Sequence, residues 1–168
     1  MKIEIRDGHL GDFEALFTLY REVAAVPGGL LRREAEITPD YIRYILENSL
    51  ARGVSIVAID DNRRVVGELH GWVANIRQLF HVMGDLTIAV SPRAQGQGVG
   101  RLLFEGFLAR VRERFAGVER VELFCRSDNA HAIALYVSQG FVEEGRLVGR
   151  VKDERGFIAD DLIMCLRL

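Results

Sequence analysis

Three glycines lie within five residues of one another, between an apolar run and a segment with helical spacing. They are Gly96, Gly98 and Gly100, in the stretch VSPRAQGQGVGRLLFEGF that begins at residue 90. Glycine loses more backbone entropy on folding than any other residue, so such a cluster indicates either a tight turn or a group in close contact with the main chain. The N–H groups at the start of a helix attract negative charge. A strand, a glycine turn and a helix in succession therefore predict a site for a phosphate-bearing ligand.

The spacing of the cluster excludes two common phosphate motifs. A P-loop requires Lys and then Ser or Thr after its last glycine, but Arg101 follows Gly100. The dinucleotide fingerprint G-x-G-x-x-G, started at Gly96, requires a third glycine at the position that the same arginine occupies. The pattern that fits is Q-x-x-G-x-G, carried by Gln95, Gly98 and Gly100.

Hydrophobic periodicity divides the chain into short strands and helices. Thr38 before Pro39 is typical of a helix start, and Gly140 of a helix end. Strands are predicted over residues 3–5, 53–60, 63–74, 79–90, 118–125, 146–151 and 157–168, and helices over 13–23, 39–46, 101–115 and 129–139. This order, β-α-α-β-β-β-α-β-α-β-β, predicts an α/β protein with crossover helices between its middle strands.

Composition limits the partners of the chain. The formal net charge is -2, and no run of like charges is present, which disfavours nucleic acid and anionic membranes as partners. The sequence has no apolar signal core and no stretch long enough to span a bilayer. Cys125 and Cys165 lie in apolar, strand-like segments, which favours packed thiols over the alternative of a disulfide. We therefore expect a cytoplasmic protein.

A second motif follows the glycine cluster by about thirty residues. The stretch NAHAIALYVSQGF, from Asn129 to Phe141, fits N-x-x-A-x-x-L-Y-x-x-x-G-F at every fixed position. Together the two motifs, in this order and separated by one strand, resemble the GNAT N-acetyltransferases, which use acetyl-CoA. The resemblance covers nearly the whole chain. It implies one GNAT domain over residues 1–168, with a mixed central sheet of about seven strands flanked by about four helices, and it implies acetyl-CoA as co-substrate with no metal.

The resemblance also implies where acetyl-CoA binds. The backbone amides of the glycine loop would hold the pyrophosphate, and the end of the preceding strand would pair with the pantetheine arm. Gln97 and Val99 would act through their N–H groups, so their side chains are predicted to tolerate change. Asn129 would cap its helix and also contact the coenzyme. The implied coenzyme site consists of Ile88, Ala89, Val90, Gln95, Gly96, Gln97, Gly98, Val99, Gly100, Arg101, Asn129 and Tyr136.

Two residues are implied to be catalytic. The resemblance places Tyr136 near the thioester sulfur, where its hydroxyl would protonate the departing thiolate; the alternative is a tyrosine that only packs. An amine attacks only in its neutral form, so a base is required. Asp85 opens the fourth strand, where many family members have an acidic base, and it would act directly or through water. Simple alternation puts its side chain on one face with Thr87 and Ala89.

Other charged residues remain as alternatives. Glu68, His70 and His81 are further candidates for the base. Asp160 lies among apolar residues of the last strand and, with Met164, fits a D-x-x-x-M pattern of the family's small-amine members. A buried carboxylate needs partners, so Asp160 has either a structural role or a role toward the substrate.

The tail GFIADDLIMCLRL is similar to that of prokaryotic members that acetylate amino acids or related small amines. The implied reaction is direct transfer of an acetyl group from acetyl-CoA to the primary amine of a small molecule in a ternary complex. A protein N-terminus or lysine is the alternative acceptor. A coenzyme-binding sensor without catalysis is an alternative of another class. Relatives of this type are commonly dimeric, which leaves a homodimer open.

Overall fold

One seven-stranded sheet runs through the molecule, in a computed structural model that describes residues 2–168. The order across the sheet is β1-β2-β3-β4-β5-β7-β6. Neighbouring strands are antiparallel except for β4 and β5, which are parallel, so the sheet is mixed. The strands are β1 (Glu4–Asp7), β2 (Gly53–Ile59), β3 (Val65–Val73), β4 (Val82–Val90), β5 (Arg120–Arg126), β6 (Val142–Lys152) and β7 (Ile158–Arg167).

Within residues 2–168, four α-helices cover the two faces of the sheet. The Thr38 hydroxyl accepts from the Tyr41 N–H at 3.1 Å and caps the second helix, and Gly140, with φ +92°, follows the last one. The helices are α1 (Phe13–Ala24), α2 (Pro39–Arg52), α3 (Val99–Arg114) and α4 (Ala130–Ser138). The order and type of all eleven elements confirm the predicted α/β fold. Within residues 2–168, no helix combines the length and the apolar character needed to cross a bilayer.

Two strand boundaries differ from the prediction by more than two residues. Residues 77–79 form a single 3-10 turn, closed by the Leu79 N–H on the Ile76 carbonyl at 2.8 Å, so β4 begins at Val82 rather than at residue 79. Strand β6 begins at Val142 rather than at residue 146, because a bulge at Gly145 lets the EEG segment stay paired with β7.

Two apolar clusters lie on opposite faces of the sheet. Helices α1 and α2 pack on one face, where Tyr20, Ile42 and Trp72 are buried together. Helix α3 packs on the other face through one broad apolar stripe, with Phe104 at its centre. The Phe104 ring makes edge contacts with Tyr136 of α4 at 5.7 Å and with Phe141 at 5.7 Å. These contacts hold α4 against α3.

Strands β4 and β5 separate soon after they meet. Their pairing consists of Val82 with Arg120 and Met83 with Val121. Beyond this point β5 stays paired with β7 along its other edge, from Arg120 to Arg126. The rest of β4, from residue 84 to 90, therefore has one edge paired with β3 and one edge open.

A β-bulge lies at the start of this open stretch. Trp72 pairs with Gly84 and His70 with Thr87, so two residues of β4 lie opposite Gly71 of β3. Asp85 is one of the two, and its φ of +49° lies in the left-handed region that non-glycine residues rarely adopt. The bulge breaks the simple alternation along β4 that the sequence predicts for Asp85.

Removal of the Phe104 ring should destabilise the fold strongly. The Phe104→Ala variant should lose about 3–5 kcal/mol of unfolding free energy, because it leaves a cavity where three aromatic rings meet. Leu102→Ala, a change at an exposed position of the same helix, should stay within about 0.5 kcal/mol of the parent. Urea denaturation of both variants measures the difference, and equal losses would contradict the assigned core.

Candidate active site

The glycine loop has the conformation and the open space that a ligand needs. Gly96 has φ +70° and Gly98 has φ +79°, so both require glycine for their backbone conformation. A Cβ atom added at either position would meet no heavy atom of residues 2–168 within 4 Å. Gly100 differs, because its added Cβ would lie 2.9 Å from Leu135 of α4. Gly100 therefore serves the packing of two helices, while the other two leave an open concave surface.

The N–H groups of this loop are free. Among the described residues, no acceptor is found for the N–H groups of residues 95–98, and Gly98 caps α3, whose first-turn N–H groups also lack helical partners. The Gln95 and Gln97 side chains donate instead to the carbonyls of Val90 at 3.1 Å and Arg93 at 2.8 Å. These bonds tie the loop to β4 and leave its amides unpaired. A set of free amides at a helix N-terminus fits a phosphate group.

The side chains around the loop differ in exposure. Gln97 is exposed, but Val99 is 1% exposed and packs in the core on the α3 face. The expectation that the Val99 side chain tolerates change is therefore wrong, because its methyl groups fill space between α3 and the sheet. Arg101 is exposed, and its Nε atom forms an ion pair with Glu105 at 2.7 Å.

Along the open edge of β4, only every second residue directs its main-chain N–H and carbonyl groups away from β3. The Ser91 N–H donates to the Val66 carbonyl of the β3 side at 2.9 Å. Because main-chain groups alternate in direction along a strand, those of Ile88 and Val90 face the open edge, and those of Ala89 face β3. The Ala89 side chain is buried against α1 and α2.

A cavity of about 430 Å³ enters the sheet where β4 and β5 separate. One wall comes from β3 and β4, a second from β5, α4 and β7, and a third from the segment 28–32 and α2. Tyr136, Asp85, Ile88 and Asn129 all line this cavity, although they lie far apart in the sequence. A second cavity of about 810 Å³, lined by residues 24–34, 126–129 and 151–155, shares several lining residues with it. The two cavities therefore adjoin each other.

Tyr136 is a buried tyrosine at the cavity wall. Its ring is 7% exposed and packs on Phe104 and Phe141, and its hydroxyl has no hydrogen-bond partner among residues 2–168. Burial, and then the neighbouring Cys125, raises the pKa of Tyr136 well above its ordinary value. The phenol therefore carries its proton at neutral pH, as a proton donor must. Asn129 caps α4 and accepts from the Ala132 N–H at 3.1 Å.

Asp85 is an exposed carboxylate in the same cavity lining. It makes no hydrogen bond or ion pair with any described residue. Because Asp85 lies on the bulge, its side chain faces the cavity mouth. The sequence pattern does not reveal this backbone geometry.

Glu68 and His70 form a buried polar group on β3. Glu68 is 1% exposed and accepts hydrogen bonds from Tyr20 at 2.6 Å and from Ser55 at 2.9 Å. The Nδ1 atom of His70 lies 3.0 Å from the same carboxylate, and the imidazole lines the cavity. His81 is exposed and does not line the cavity.

Asp160 and Asp161, adjacent on β7, have different surroundings. The Asp160 carboxylate accepts from the Gly149 N–H at 2.9 Å and from Arg146 at 3.1 Å, and both contacts lower its pKa. These partners are what the structural alternative for Asp160 predicts. Asp161 is 5% exposed, lines the cavity and pairs with Arg150 at 3.1 Å. Burial raises its pKa. The sequence pattern gave no reason to choose Asp161 over its neighbour.

The cysteines do not form a disulfide. Cys125 and Cys165 are both free and buried. Burial, with smaller contributions from Asp161 and Asp128, raises the pKa of the Cys125 thiol to about 11, so this cavity residue is a poor nucleophile at neutral pH. Within the part of the chain that the structure describes, no group of three His, Cys, Asp or Glu side chains is placed to bind a metal ion.

A family model of known acetyltransferases matches this chain. The model, described as acetyltransferase (GNAT) family, covers residues 14–141, which include the glycine loop, the open edge of β4 and Tyr136. The chain belongs to the GNAT family. The resemblance that the two sequence motifs carry is thereby confirmed.

Individual relatives agree with the GNAT assignment. The mycothiol acetyltransferase of Jonesia denitrificans is 44% identical over 120 residues, 69% of this chain, and the matched part spans 32% of that protein's length. The crystal structure of a ribosomal-protein-alanine N-acetyltransferase from Brucella melitensis superposes with a TM-score of 0.84 at 27% identity over 98% of this chain and 99% of that one. A phosphinothricin acetyltransferase from Sinorhizobium meliloti, solved in complex with AcCoA, has a TM-score of 0.81 at 22% identity over 100% and 89% of the chains, which shows the shared fold.

A bulky side chain at Gly98 should block the loop without unfolding the protein. In Gly98→Trp, the indole has open space but occupies the concave surface, so acetyl-CoA affinity measured by calorimetry should fall at least about 100-fold. The left-handed backbone costs about 1–2 kcal/mol of stability.

Gly156→Trp is the matched control, because Gly156 also has positive φ and open space but lies in the β6–β7 turn. It should carry a similar stability cost and bind acetyl-CoA like the parent. Unchanged acetyl-CoA affinity in Gly98→Trp would show that the loop is not part of the binding site.

Proposed function

We propose that this GNAT chain transfers the acetyl group of acetyl-CoA to the primary amine of a small molecule, such as an amino acid, by direct attack in a ternary complex. The main observation in support is the cavity between β4 and β5, where Tyr136 and Asp85 line the same space next to the open edge of β4. Holding both substrates in one site turns a reaction of two molecules into a step within one complex.

The unpaired main-chain groups indicate how acetyl-CoA, the acetyl donor, would bind. The free amides of residues 95–98 and the start of α3 would bind the coenzyme's pyrophosphate. The open-edge N–H and carbonyl of Ile88 would pair with the pantetheine arm as an added strand does, beside Val90, whose carbonyl accepts from the Gln95 side chain. This arrangement directs the thioester toward the cavity, where the Val90 N–H would stabilise the oxyanion. Asn129, at the start of α4, would contact the coenzyme from the opposite wall.

Proton transfer at the site needs an acid and a base. Tyr136 remains protonated in its buried position and would donate to the thiolate as the carbon–sulfur bond breaks. An acceptor amine arrives mostly as an ammonium ion, which must lose a proton before its lone pair can attack. Asp85 faces the cavity mouth without a partner, so it would attract the ammonium ion and receive that proton, directly or through water. The two unpaired cysteines support a reducing, cytoplasmic setting.

A protein N-terminus is the second candidate acceptor. The observation in its favour is an additional cavity of about 810 Å³, which adjoins the one lined by Tyr136 and Asp85 and exceeds the volume of a single amino acid. The similarity to the Brucella melitensis enzyme, over nearly the full length of both chains, points the same way.

A thiol-release screen tests the proposal and separates these acceptors. Acetyl-CoA is supplied with amino acids, polyamines, aminoglycosides or peptides that begin with alanine, and free coenzyme A is measured. Release that depends on a small amine supports the first acceptor class, and a strong preference for peptides supports the second. Tight acetyl-CoA binding without release for any amine would contradict catalysis and indicate a sensor.

Loss of the Tyr136 hydroxyl should affect turnover and not binding. In Tyr136→Phe, kcat should fall about 100-fold, because the thiolate then leaves without a proton. Acetyl-CoA affinity by calorimetry and the melting temperature should match the parent, since the ring contacts with Phe104 and Phe141 remain. Full activity would show that Tyr136 only packs.

Loss of the Asp85 charge should cause a defect that depends on pH. Asn also tolerates positive φ, so Asp85→Asn keeps the bulge. Its kcat/KM for the best amine of the screen should fall about 10–100-fold near pH 7. The deficit should shrink toward pH 9.5, because the amine then loses its proton to the solvent. A deficit that is the same at every pH would contradict this role.

A further inference from the structure

The reaction removes two protons from the acceptor nitrogen. An ammonium group has three hydrogens, and the amide product keeps one. The first proton leaves before attack, at the cavity mouth. The second leaves as the carbon–nitrogen bond forms, when the nitrogen becomes positively charged next to the thioester carbon. This second proton is released inside the cavity, so it needs an acceptor there.

His70 is held for such a role by its buried neighbours. Its Nδ1 atom lies 3.0 Å from the Glu68 carboxylate and 3.2 Å from the Tyr20 hydroxyl. The imidazole stacks on Trp72, with ring centroids 5.4 Å apart and planes 8° apart. The Tyr20 ring lies 6.3 Å from the imidazole. Contacts from three residues thus fix the plane and the orientation of the ring.

The hydrogen bonds around Glu68 select one tautomer of His70. Burial, and then Glu68, raises the pKa of Tyr20 well above 10, so its hydroxyl stays protonated and donates to the carboxylate. Ser55 donates to the other carboxylate oxygen. A carboxylate only accepts, so Nδ1 must carry a hydrogen and donate to it. The Nε2 atom is then left with a lone pair.

The lone pair of Nε2 is available in the cavity. No described residue forms a hydrogen bond with Nε2, and the imidazole is part of the cavity lining, although only 2% of the side chain is exposed. His70 pairs with Thr87 of β4, two residues beyond the bulge. The base thus lies deeper than Asp85, whose side chain is exposed at the mouth.

We propose that Nε2 of His70 accepts the proton that the amine nitrogen loses as it bonds to the acetyl carbon, with Glu68 as the positioning residue behind it. This rests on the proposed function. An imidazole suits the task, because one ring nitrogen can be held by a hydrogen bond while the lone pair of the other accepts a proton. The Glu68 carboxylate stabilises the imidazolium that forms.

The proton balance closes with this assignment. The carbon–nitrogen bond forms and the carbon–sulfur bond breaks. Asp85 or water takes the first proton, His70 takes the second, and Tyr136 gives one to the thiolate. The imidazolium and Asp85 return their protons to water, and Tyr136 recovers one from it. The net reaction releases one proton for each ammonium ion acetylated.

Variants at His70 test the proposal through turnover and chemical rescue. His70→Gln should lower kcat at least about 100-fold and leave acetyl-CoA affinity unchanged. His70→Ala should be equally slow, and added imidazole should restore activity at least tenfold. Pyrazole, which has the same shape but is a far weaker base, should not restore it. His81→Gln, at an exposed histidine outside the cavity, should match the parent.

Nitrogen NMR of the parent supplies a readout that needs no acceptor and no variant. With four histidines in the chain, the long-range proton–nitrogen spectrum can be assigned. His70 should show the Nδ1–H tautomer at neutral pH. An Nε2–H tautomer, parental kcat in His70→Gln, or equal rescue by imidazole and pyrazole would overturn the inference while the parent stays active. A parent that releases no thiol with any amine would contradict the proposed function instead, and the tautomer still tests the geometry of His70.

Discussion

The early separation of β4 from β5 is the constraint on which the rest of the site depends. After two residue pairs the strands part, and β5 continues with β7 alone. The main-chain groups of Ile88 and the N–H of Val90 are left unpaired at an open edge, and the free amides of the glycine loop continue the same line toward α3. Unpaired N–H and carbonyl groups cost free energy when buried, so a series of them in a native fold indicates a binding site. The opening supplies both a binding edge and a cavity at its end.

Ionisable groups are distributed by depth in this cavity. Asp85 lies exposed at the mouth on a backbone of positive φ, a strained conformation of the kind that concentrates at functional sites. Deeper inside, the buried Glu68 carboxylate accepts hydrogen bonds from Tyr20 and Ser55, which compensate for the loss of water around it. Tyr136 is buried among aromatic rings and keeps its proton. A buried phenol, a mouth carboxylate and an interior imidazole thus line one cavity.

Much of the fold could be read from the sequence because local signals agree with the tertiary structure. Thr38 with Pro39, the glycines before α3 and Gly140 mark element ends, and periodicity gives all eleven elements. The motif that contains Tyr136 predicts a helix, and the regular geometry of a helix determines which way the Tyr136 side chain faces. The bulge at Asp85 could not be predicted, since it depends on how β3 pairs with β4. The partnership of His70 with Tyr20, fifty residues apart, likewise exists only in the folded chain. Asp160 and Asp161 look alike in sequence, and only their cross-strand neighbours distinguish them.

The central claim is that the open edge of β4 and the loop after it hold the donor. A crystal structure of the chain with coenzyme A tests this most directly. We expect the pyrophosphate on the amides of residues 95–98, the pantetheine arm beside Ile88 and Val90, and the sulfur in the cavity near Tyr136. A coenzyme bound elsewhere, or a loop whose amides are turned away from the ligand, would contradict the account.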